Sequence, residues 1–491
     1  MAMPDYFGRN AVAISQALSG LDEKRLEAEL SEVCVGITIG PDASGYEGRA
    51  LVDLLVRLLA RLYPAITIRA LQNTKLSEEA SNLASRINPC IELSGAPTVE
   101  IVIGKTRIRR SAPQRIFAGA DGWSGTISTI RSQACGDSNN PFGAGVAACL
   151  AAANLFRHIF LPEVGLNRDS KFLIPHADKI SRSVNLNGDI GNMVLAGAGA
   201  IGNAAAWALA RTPLNGSVVV VDHERVDLGN LQRYVLTERN DEGNQKAKFI
   251  AKKFSMGLSA KAYDRELAQF LQKQKHRVDR LLLALDSAQD RRTAQASLPC
   301  WIANAWTQPD DLGVSTHDFL GGACVYCLYL PNGTSKNEDE IITESFGVPD
   351  RLMQIRELLY KGEGAPKDLL EAIAAARDIP LDRILPFEGH QIRKLYTEGF
   401  CGGGVIPLSQ AGEPTGDVHV PLAHQSALAG VLLAAAGVQN ALYGPVGSFK
   451  TQYNVLKSYP NFQVMPVAKD PRGICICQDK DYREAYQKKY L

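Results

Sequence analysis

Met193-Val-Leu-Ala196 runs directly into Gly197-Ala-Gly199-Ala-Ile-Gly202, and an alanine-rich stretch, Asn203 to Arg211, follows. The string reads as a buried strand, a glycine turn and a helix. Glycines let the backbone turn tightly and approach a phosphate, while the first turn of a helix offers unpaired N–H groups and a partial positive charge. Downstream, Val218-Val-Val-Val221 predicts a second strand that ends on Asp222, twenty residues after Gly202. A carboxylate there can accept hydrogen bonds from a ribose. Taken singly, this fingerprint fits any dinucleotide enzyme, an NAD-dependent oxidoreductase included, or merely a tight turn.

Working outward, strands are predicted over 193–196, 217–221, 280–284 and 300–305, with an apolar helix over 423–438 returning to the core. Upstream, strands over 33–39, 65–70, 98–103 and 115–118 alternate with helices over 48–62 and 144–159. A polar stretch around 165–183 divides the two series, and between 335 and 405 lies an insertion with charged, helical segments at 349–362 and 367–377. Such alternation predicts an α/β layer structure, two Rossmann-like units with mostly parallel sheets. At 491 residues the chain is long enough for two or three domains.

The composition narrows the function classes. Lys plus Arg number 53 against 52 Asp plus Glu, so no global field draws in nucleic acid or an anionic membrane. The N-terminus lacks the basic start and continuous apolar run of a secretory signal, and the 423–438 segment reads as too short to cross a bilayer. A cytoplasmic, reducing compartment is expected, where ten cysteines point to metal or thiol chemistry before disulfides.

The residues beyond the second strand carry more specific information. Asp222-His-Glu-Arg-Val-Asp-Leu-Gly-Asn230-Leu-Gln-Arg233 is followed by Gly243-Asn-Gln-Lys246-Ala, then by Leu283-Ala-Leu-Asp286-Ser with Arg291 beyond. This set resembles the adenylating domain shared by ThiF- and MoeB-type enzymes and ubiquitin-activating enzymes. The resemblance covers about 192–327 closely and resumes near 420–438. It implies a chain that uses ATP and Mg²⁺ to adenylate the C-terminal carboxylate of a small ubiquitin-like protein, releasing pyrophosphate. By resemblance, Gly197, Gly199 and Gly202 approach the nucleotide and Asp222 holds the ribose. Asn230, Arg233 and Lys246 contact the phosphates, and Asp286 carries Mg²⁺, which neutralises the leaving group as a Lewis acid. Taken alone, Arg233 or Lys246 reads as a solvated surface charge and Asp286 as a helix cap.

Cys324-Val-Tyr-Cys327 and Cys475-Ile-Cys477 form two close pairs. Four thiolates from distant segments suit a closed tetrahedral zinc, as MoeB- and ThiF-type relatives use to pin their C-terminal segment. The second pair departs from that pattern, being CxC and not CxxC. Cys401, in Gly399-Phe-Cys401-Gly-Gly-Gly404, has an unshielded thiol. In ubiquitin-activating relatives a cysteine of the comparable region attacks the acyl adenylate to form a thioester, for transfer to a conjugating enzyme. An incidental cysteine in a glycine loop, or a stray metal ligand, is the plain reading beside it.

Relatives work as two related halves, either a homodimer or a fused pair with one half degenerate. Residues 1–165 are therefore expected to be an inactive adenylation-like domain and 166–491 the active one. The counterpart turn, Gly40-Pro-Asp-Ala-Ser-Gly45, lacks the GxGxxG spacing and has Pro where a helix amide should be. In relatives the partner half donates an arginine to the phosphates, and Arg9, in Tyr6-Phe-Gly-Arg9, is the candidate. Activation of a sulfur-carrier protein, adenylation of a peptide or tRNA base, and a nucleotide-binding scaffold are the remaining alternatives.

Overall fold

The computed structural model describes residues 4–17, 23–107, 114–177, 184–275, 277–308, 311–330, 338–400, 421–458 and 462–491. The chain divides into two compact units. One comprises residues 1–4, 32–330 and 423–491 and holds both sheets; the other comprises 5–31 and 331–422, and its described elements are helices.

In the sheet-bearing unit the first half contributes β1 (Cys34–Ile39), β2 (Ala65–Ala70), β3 (Val99–Ile103), β4 (Arg115–Asp121), β5 (Ser124–Ser128) and β6 (Asp169–Leu173), ordered β2-β1-β3-β4-β5-β6. β1 and β3 are buried along their whole length, as strands covered on both faces must be. The second half contributes β7 (Asp189–Ala196), β8 (Asn215–Val221), β9 (Leu258–Tyr263), β10 (Arg280–Leu283), β11 (Trp301–Gln308), β12 (Asp311–Asp318), β13 (Phe449–Tyr453) and β14 (Phe462–Pro466). Their order is β14-β13-β12-β11-β10-β7-β8-β9. The strands from β9 to β11 run parallel, and β12, β13 and β14 add on antiparallel.

The two halves repeat one plan. In each, the first and second strands pair parallel through a crossover helix, Tyr46–Leu59 or Ala200–Leu209. In each, a third strand pairs on the other side of the first, followed by a parallel strand and an antiparallel one. A long apolar helix then leads to a final antiparallel strand, through Phe142–Phe160 to β6 and through Ala423–Tyr443 to β13. The second half adds β9 and β14. The first sheet extends past residue 165, where the sequence pattern places the division, because β6 belongs to it.

The paired long helices are core elements. Both are long and apolar enough to cross a bilayer, and 83% of each apolar window is buried inside the protein. The helix expected over 423–438 continues to Tyr443, so shortness is not what keeps it from a membrane reading; burial is. Small residues let these helices meet other backbone closely. A Cβ at Gly145 would come within 3.0 Å of a Val431 methyl, and one at Gly430 within 2.3 Å of the Ile201 carbonyl oxygen.

A buried charge network joins the halves. The Asp53 carboxylate accepts from Arg57 Nε at 3.0 Å, Arg211 at 2.7 Å and Trp207 Nε1 at 2.7 Å. Burial opposes its ionisation, but Arg57, Arg211 and the Trp207 N–H outweigh that and hold it at about 2.

The helical unit contains Phe7–Ala17 and Glu23–Ser31 together with Glu338–Phe346, Leu352–Lys361 and Lys367–Arg377. Ile342, Phe346, Ile355, Leu369 and Ile373 form its core. The segments expected to be helical in the insertion are helices, and the two N-terminal helices group with them instead of with the first sheet.

Two outcomes follow. Gly430→Ala should destabilise the chain by about 1–3 kcal/mol, because the added methyl meets backbone rather than a movable side chain; thermal melts measure this. A carboxylate depressed in the fold stabilises it above the unfolded pKa and loses that contribution as pH falls through the folded one. Asp53 should therefore contribute about 2 kcal/mol near neutrality, lost between about pH 4 and pH 2. Denaturant titrations of Asp53→Asn should show that slope flattened.

Candidate nucleotide site and metal centre

The parallel strands of the second half reverse direction of succession between β7 and β10, and a crevice at the carboxyl ends of such strands is where ligands bind in open α/β sheets. Gly197 leaves β7 with φ +93°, a region that favours glycine. A Cβ there would lie 2.3 Å from the Ala284 oxygen, and one on Gly202 only 2.0 Å from the Gly197 oxygen. Gly199 is the N-cap of helix Ala200–Leu209, with no side chain capping it. A Cβ on Gly199 would meet only the Tyr234 hydroxyl, at 3.6 Å. The turn thus presents helix N–H groups beside open space.

Asp222 follows β8 and accepts from the Ala198 N–H at 2.7 Å and the Glu224 N–H at 2.8 Å. Burial pushes its carboxyl above the ordinary value, against the pull of Lys246 and the Ala198 N–H. Lys246 is buried, ion-pairs with Glu224, and lies 5.2 Å from the centre of the Tyr234 ring. Burial alone would lower its pKa, but Tyr234, Glu224 and Asp222 raise it above the usual lysine range. It stays charged.

Asn230 lies in the 3₁₀ turn Leu228–Gln232, where its Oδ1 accepts the Asp227 N–H at 3.0 Å and Asp227 accepts the Gly229 N–H at 2.8 Å. That bond commits the Asn230 side-chain carbonyl to the turn. Arg233 ends the same turn, over Tyr234 at 5.9 Å. Burial lowers its pKa, while Tyr234 and Asp286 act in the opposite sense, which places the Asp286 carboxylate within electrostatic reach of this guanidinium. Asp286 is exposed just beyond β10. It does not cap the next helix; Ser287 does, accepting the Asp290 N–H at 3.2 Å.

The glycine turn, Asp222, Arg233, Lys246 and Asp286 are therefore brought to one edge of the sheet. Lys246 faces the Glu224 carboxylate, and Arg233 donates to the Gln232 side-chain oxygen at 3.3 Å. A triphosphate can replace those partners, and Asp286 is an oxygen donor of the kind Mg²⁺ accepts. Three residues of this edge escape sequence reasoning. Asn203 donates to the Ala198 and Gly199 carbonyls at 2.8 and 3.1 Å and accepts from the Leu236 N–H at 3.3 Å, tying the glycine turn to the Arg233 loop. A polar residue in an alanine-rich helix was the available signal. Glu224 and Tyr234, the partners of Lys246, carried none beyond their nearness to the motif.

Arg9 lies on helix Phe7–Ala17 in the helical unit. Cys401 falls outside the described residues. The first-half turn is chemically unlike its counterpart. Asp42 accepts from the Lys105 N–H at 2.8 Å and the Cys135 N–H at 3.0 Å, filling the space beside the strand ends with a carboxylate. Glu47, fully buried, accepts from the Gly122 and Ser138 N–H groups and from the Ser138 hydroxyl. Cys135 is held among these acids, and burial with Asp42 and Glu47 pushes its thiol up to about 12.

Cys324, Cys327, Cys475 and Cys477 place their sulfurs within 4.8 Å of one another, the one such cluster among the described residues. Three pairs stand at 3.2–3.5 Å, near the ~3.8 Å that a tetrahedral ion with metal–sulfur bonds of ~2.3 Å imposes. The CxC spacing thus costs no ligand. Tyr486 stacks on Phe319 at 5.1 Å and donates to the Cys300 oxygen at 2.8 Å, so the C-terminal helix Lys480–Tyr490 is anchored beside the cluster.

Residues 190–297 match the ThiF family, and residues 40–161 match the family described as prokaryotic E2 family C. The chain is 39% identical over 510 residues to the uncharacterized protein y4jF of Sinorhizobium fredii, covering 100% of this chain and 98% of that one. Among solved structures, E. coli MccB with succinimide is 14% identical at a TM-score of 0.34, over 58% of this chain and 66% of that chain. E. coli MccB with AMPCPP and MccA is 12% identical at 0.35, over 57% and 65%. The chain spans just under two thirds of those MccB chains.

A metal held by four thiolates should copurify at about one equivalent per chain. Cys475→Ser should lose it and lower the melting temperature by several degrees, as elemental analysis and thermal melts would record. The full-length similarity shows that this chain belongs to one family with the y4jF protein, and the strand–glycine turn–helix with the charged set around it lies within the residues, 190–297, that match the ThiF family.

Proposed function

We propose that this chain adenylates the C-terminal carboxylate of a ubiquitin-like protein at the crevice beyond β7, β8 and β10, in the cytoplasm. The observation that carries this reading is the gathering of Arg233, Lys246 and Asp286 around the uncapped helix start at Gly199. Gly197 and Gly202 shape the turn that lets a phosphate approach, and Asp222 accepts from the ribose. The Asn230 amide, Arg233 and Lys246 bind the phosphates, Lys246 leaving Glu224 when it does. A substrate carboxylate oxygen attacks the α-phosphorus and pyrophosphate departs, so charge grows where the cations are fixed. Mg²⁺ held by Asp286 would supply Lewis acidity to the leaving group. A hydride-transfer enzyme has no need for cations at a β,γ-pyrophosphate.

The Cys401 thiolate then attacks the acyl carbonyl, forming a thioester as AMP leaves, and the acyl group passes to a conjugating-type enzyme. Arg9 is the candidate second arginine on the phosphates. The four-cysteine cluster holds zinc, which staples the C-terminal segment and takes no part in chemistry. The first half is an adenylation-like partner without a nucleotide site, since its turn lacks the GxGxxG spacing and the Asp42 and Glu47 carboxyls lie at the strand ends beside it. Its match to an E2 family favours a second reading, in which this half takes part in acyl transfer. Its Cys135, pushed away from the thiolate form, argues against that cysteine as carrier. Activation of a sulfur-carrier protein would use the same first step without Cys401.

The test is ATP–pyrophosphate exchange with glycine-ended ubiquitin-like proteins. Asp286→Ala should reduce exchange by about 100-fold or more. Cys401→Ala should leave exchange intact and abolish a reducible enzyme–protein adduct that Cys324→Ala retains. Equal loss of exchange in the Asp286 and Cys401 variants would overturn this division of labour.

A further inference from the structure

The loop that carries Arg233 is gripped from behind by the first half. Arg61, at the end of the first crossover helix region, is fully buried. Its guanidinium donates to the Leu231 oxygen at 3.0 Å, the Val235 oxygen at 3.1 Å and the Thr237 oxygen at 2.6 Å. Arg57, one helical turn earlier, adds a second donor to the Val235 oxygen at 3.0 Å while ion-paired to Asp53. These acceptors flank Arg233 and Tyr234 on both sides. Four hydrogen bonds from the first half therefore fix the carbonyls of the segment that carries Arg233 and Tyr234.

A buried guanidinium is expensive to desolvate, and apolar packing joins two domains at lower cost. Its specific property is a planar fork of donors that admits only certain carbonyl directions. Fixing the carbonyls at 231, 235 and 237 fixes the stretch of backbone from which Arg233 and Tyr234 project. Asn203 holds the opposite flank through the Leu236 N–H, so the loop is clamped between the glycine turn and Arg61.

We propose that Arg61 is a positioning residue for the nucleotide loop: the half without a nucleotide site sets the geometry of Arg233 in the half that has one. The proposal rests on the reading of the crevice as an ATP site. It gives the first half a task beyond shielding apolar surface, and makes nucleotide affinity depend on docking of the two halves. Arg86, which pairs with Glu238 at 2.8 Å on the exposed rim, provides the contrast of an inter-half contact without that geometry.

The experiment compares the full chain with Arg61→Gln, Arg61→Lys and Arg86→Gln. It reads amide hydrogen exchange at 234–237 and calorimetric binding of Mg²⁺ with a non-hydrolysable ATP analogue. Arg61→Gln should speed exchange in that segment and weaken the nucleotide by about tenfold or more, since small misplacements of binding groups carry large penalties. Arg61→Lys should recover only part, and Arg86→Gln should behave as wild type. Unchanged affinity with a loosened loop would overturn the proposal, as would equal weakening by Arg86→Gln, which would mean docking alone. If Arg61→Gln does not fold, Arg57→Gln should show the same pair of changes in smaller measure, and their absence would overturn it. If the unmodified chain binds no nucleotide, the site reading fails; an exchange rate at 234–237 that ignores Arg61 fails the positioning claim independently.

Discussion

Gly197 and Gly202 stand so close that a methyl on the second would lie 2.0 Å from the carbonyl oxygen of the first, and a methyl on Gly197 2.3 Å from the Ala284 oxygen. That contact fixes the end of β7 against the end of β10 and the start of the following helix. Everything functional is arranged from it. Asp222 binds the Ala198 N–H inside the turn, and Asn203 binds its carbonyls and reaches on to Leu236. The charged side chains gain their places because backbone with no side chains occupies the middle. Glycine loses much conformational freedom on folding, so such a turn persists only where surrounding packing enforces it.

The duplicated plan of the two halves shows how one architecture can be tuned to opposite ends. At the first-half strand ends, Gly40 meets the Lys105 and Ile103 oxygens much as Gly197 meets Ala284. There the resemblance stops. Asp42 and Glu47 bring carboxyls to the strand ends, accepting from the Lys105, Cys135, Gly122 and Ser138 N–H groups, and no acid corresponding to Asp222 follows β2, which leads into Leu71 and Gln72. The freed surface is used for docking. The helix Tyr46–Leu59 and the residues after it deliver Asp53, Arg57 and Arg61 to the second half.

Much of this was legible in the residues. The apolar strand at 193–196, the glycine spacing and the ordered string from Asp222 to Asp286 led to the right sheet edge, because each step is a local constraint of turn or charge. The long helices at 142–160 and 423–443 were visible for the same reason, as unbroken small apolar runs. Strands β5, β6, β9, β12, β13 and β14 were not: their short, partly exposed or polar stretches lack the apolar run that marks a strand, and only pairing with neighbours makes them one. The clamp from Arg61 was invisible as well. A buried arginine in Leu-Leu-Ala-Arg-Leu looks like a solvated charge until the partner carbonyls, some 170 positions on, are seen. The CxC pair looked like a damaged metal site, whereas folding brings all four sulfurs together.

A crystal structure of the chain with Mg²⁺ and a non-hydrolysable ATP analogue bears most directly on the account. The expected result is phosphates against the N–H groups that follow Gly199, the ribose on Asp222, Arg233 on the phosphate oxygens, and Lys246 turned from Glu224 onto them. A nucleotide bound elsewhere, or one in this crevice with Lys246 still paired to Glu224 and Arg233 directed away, would contradict it.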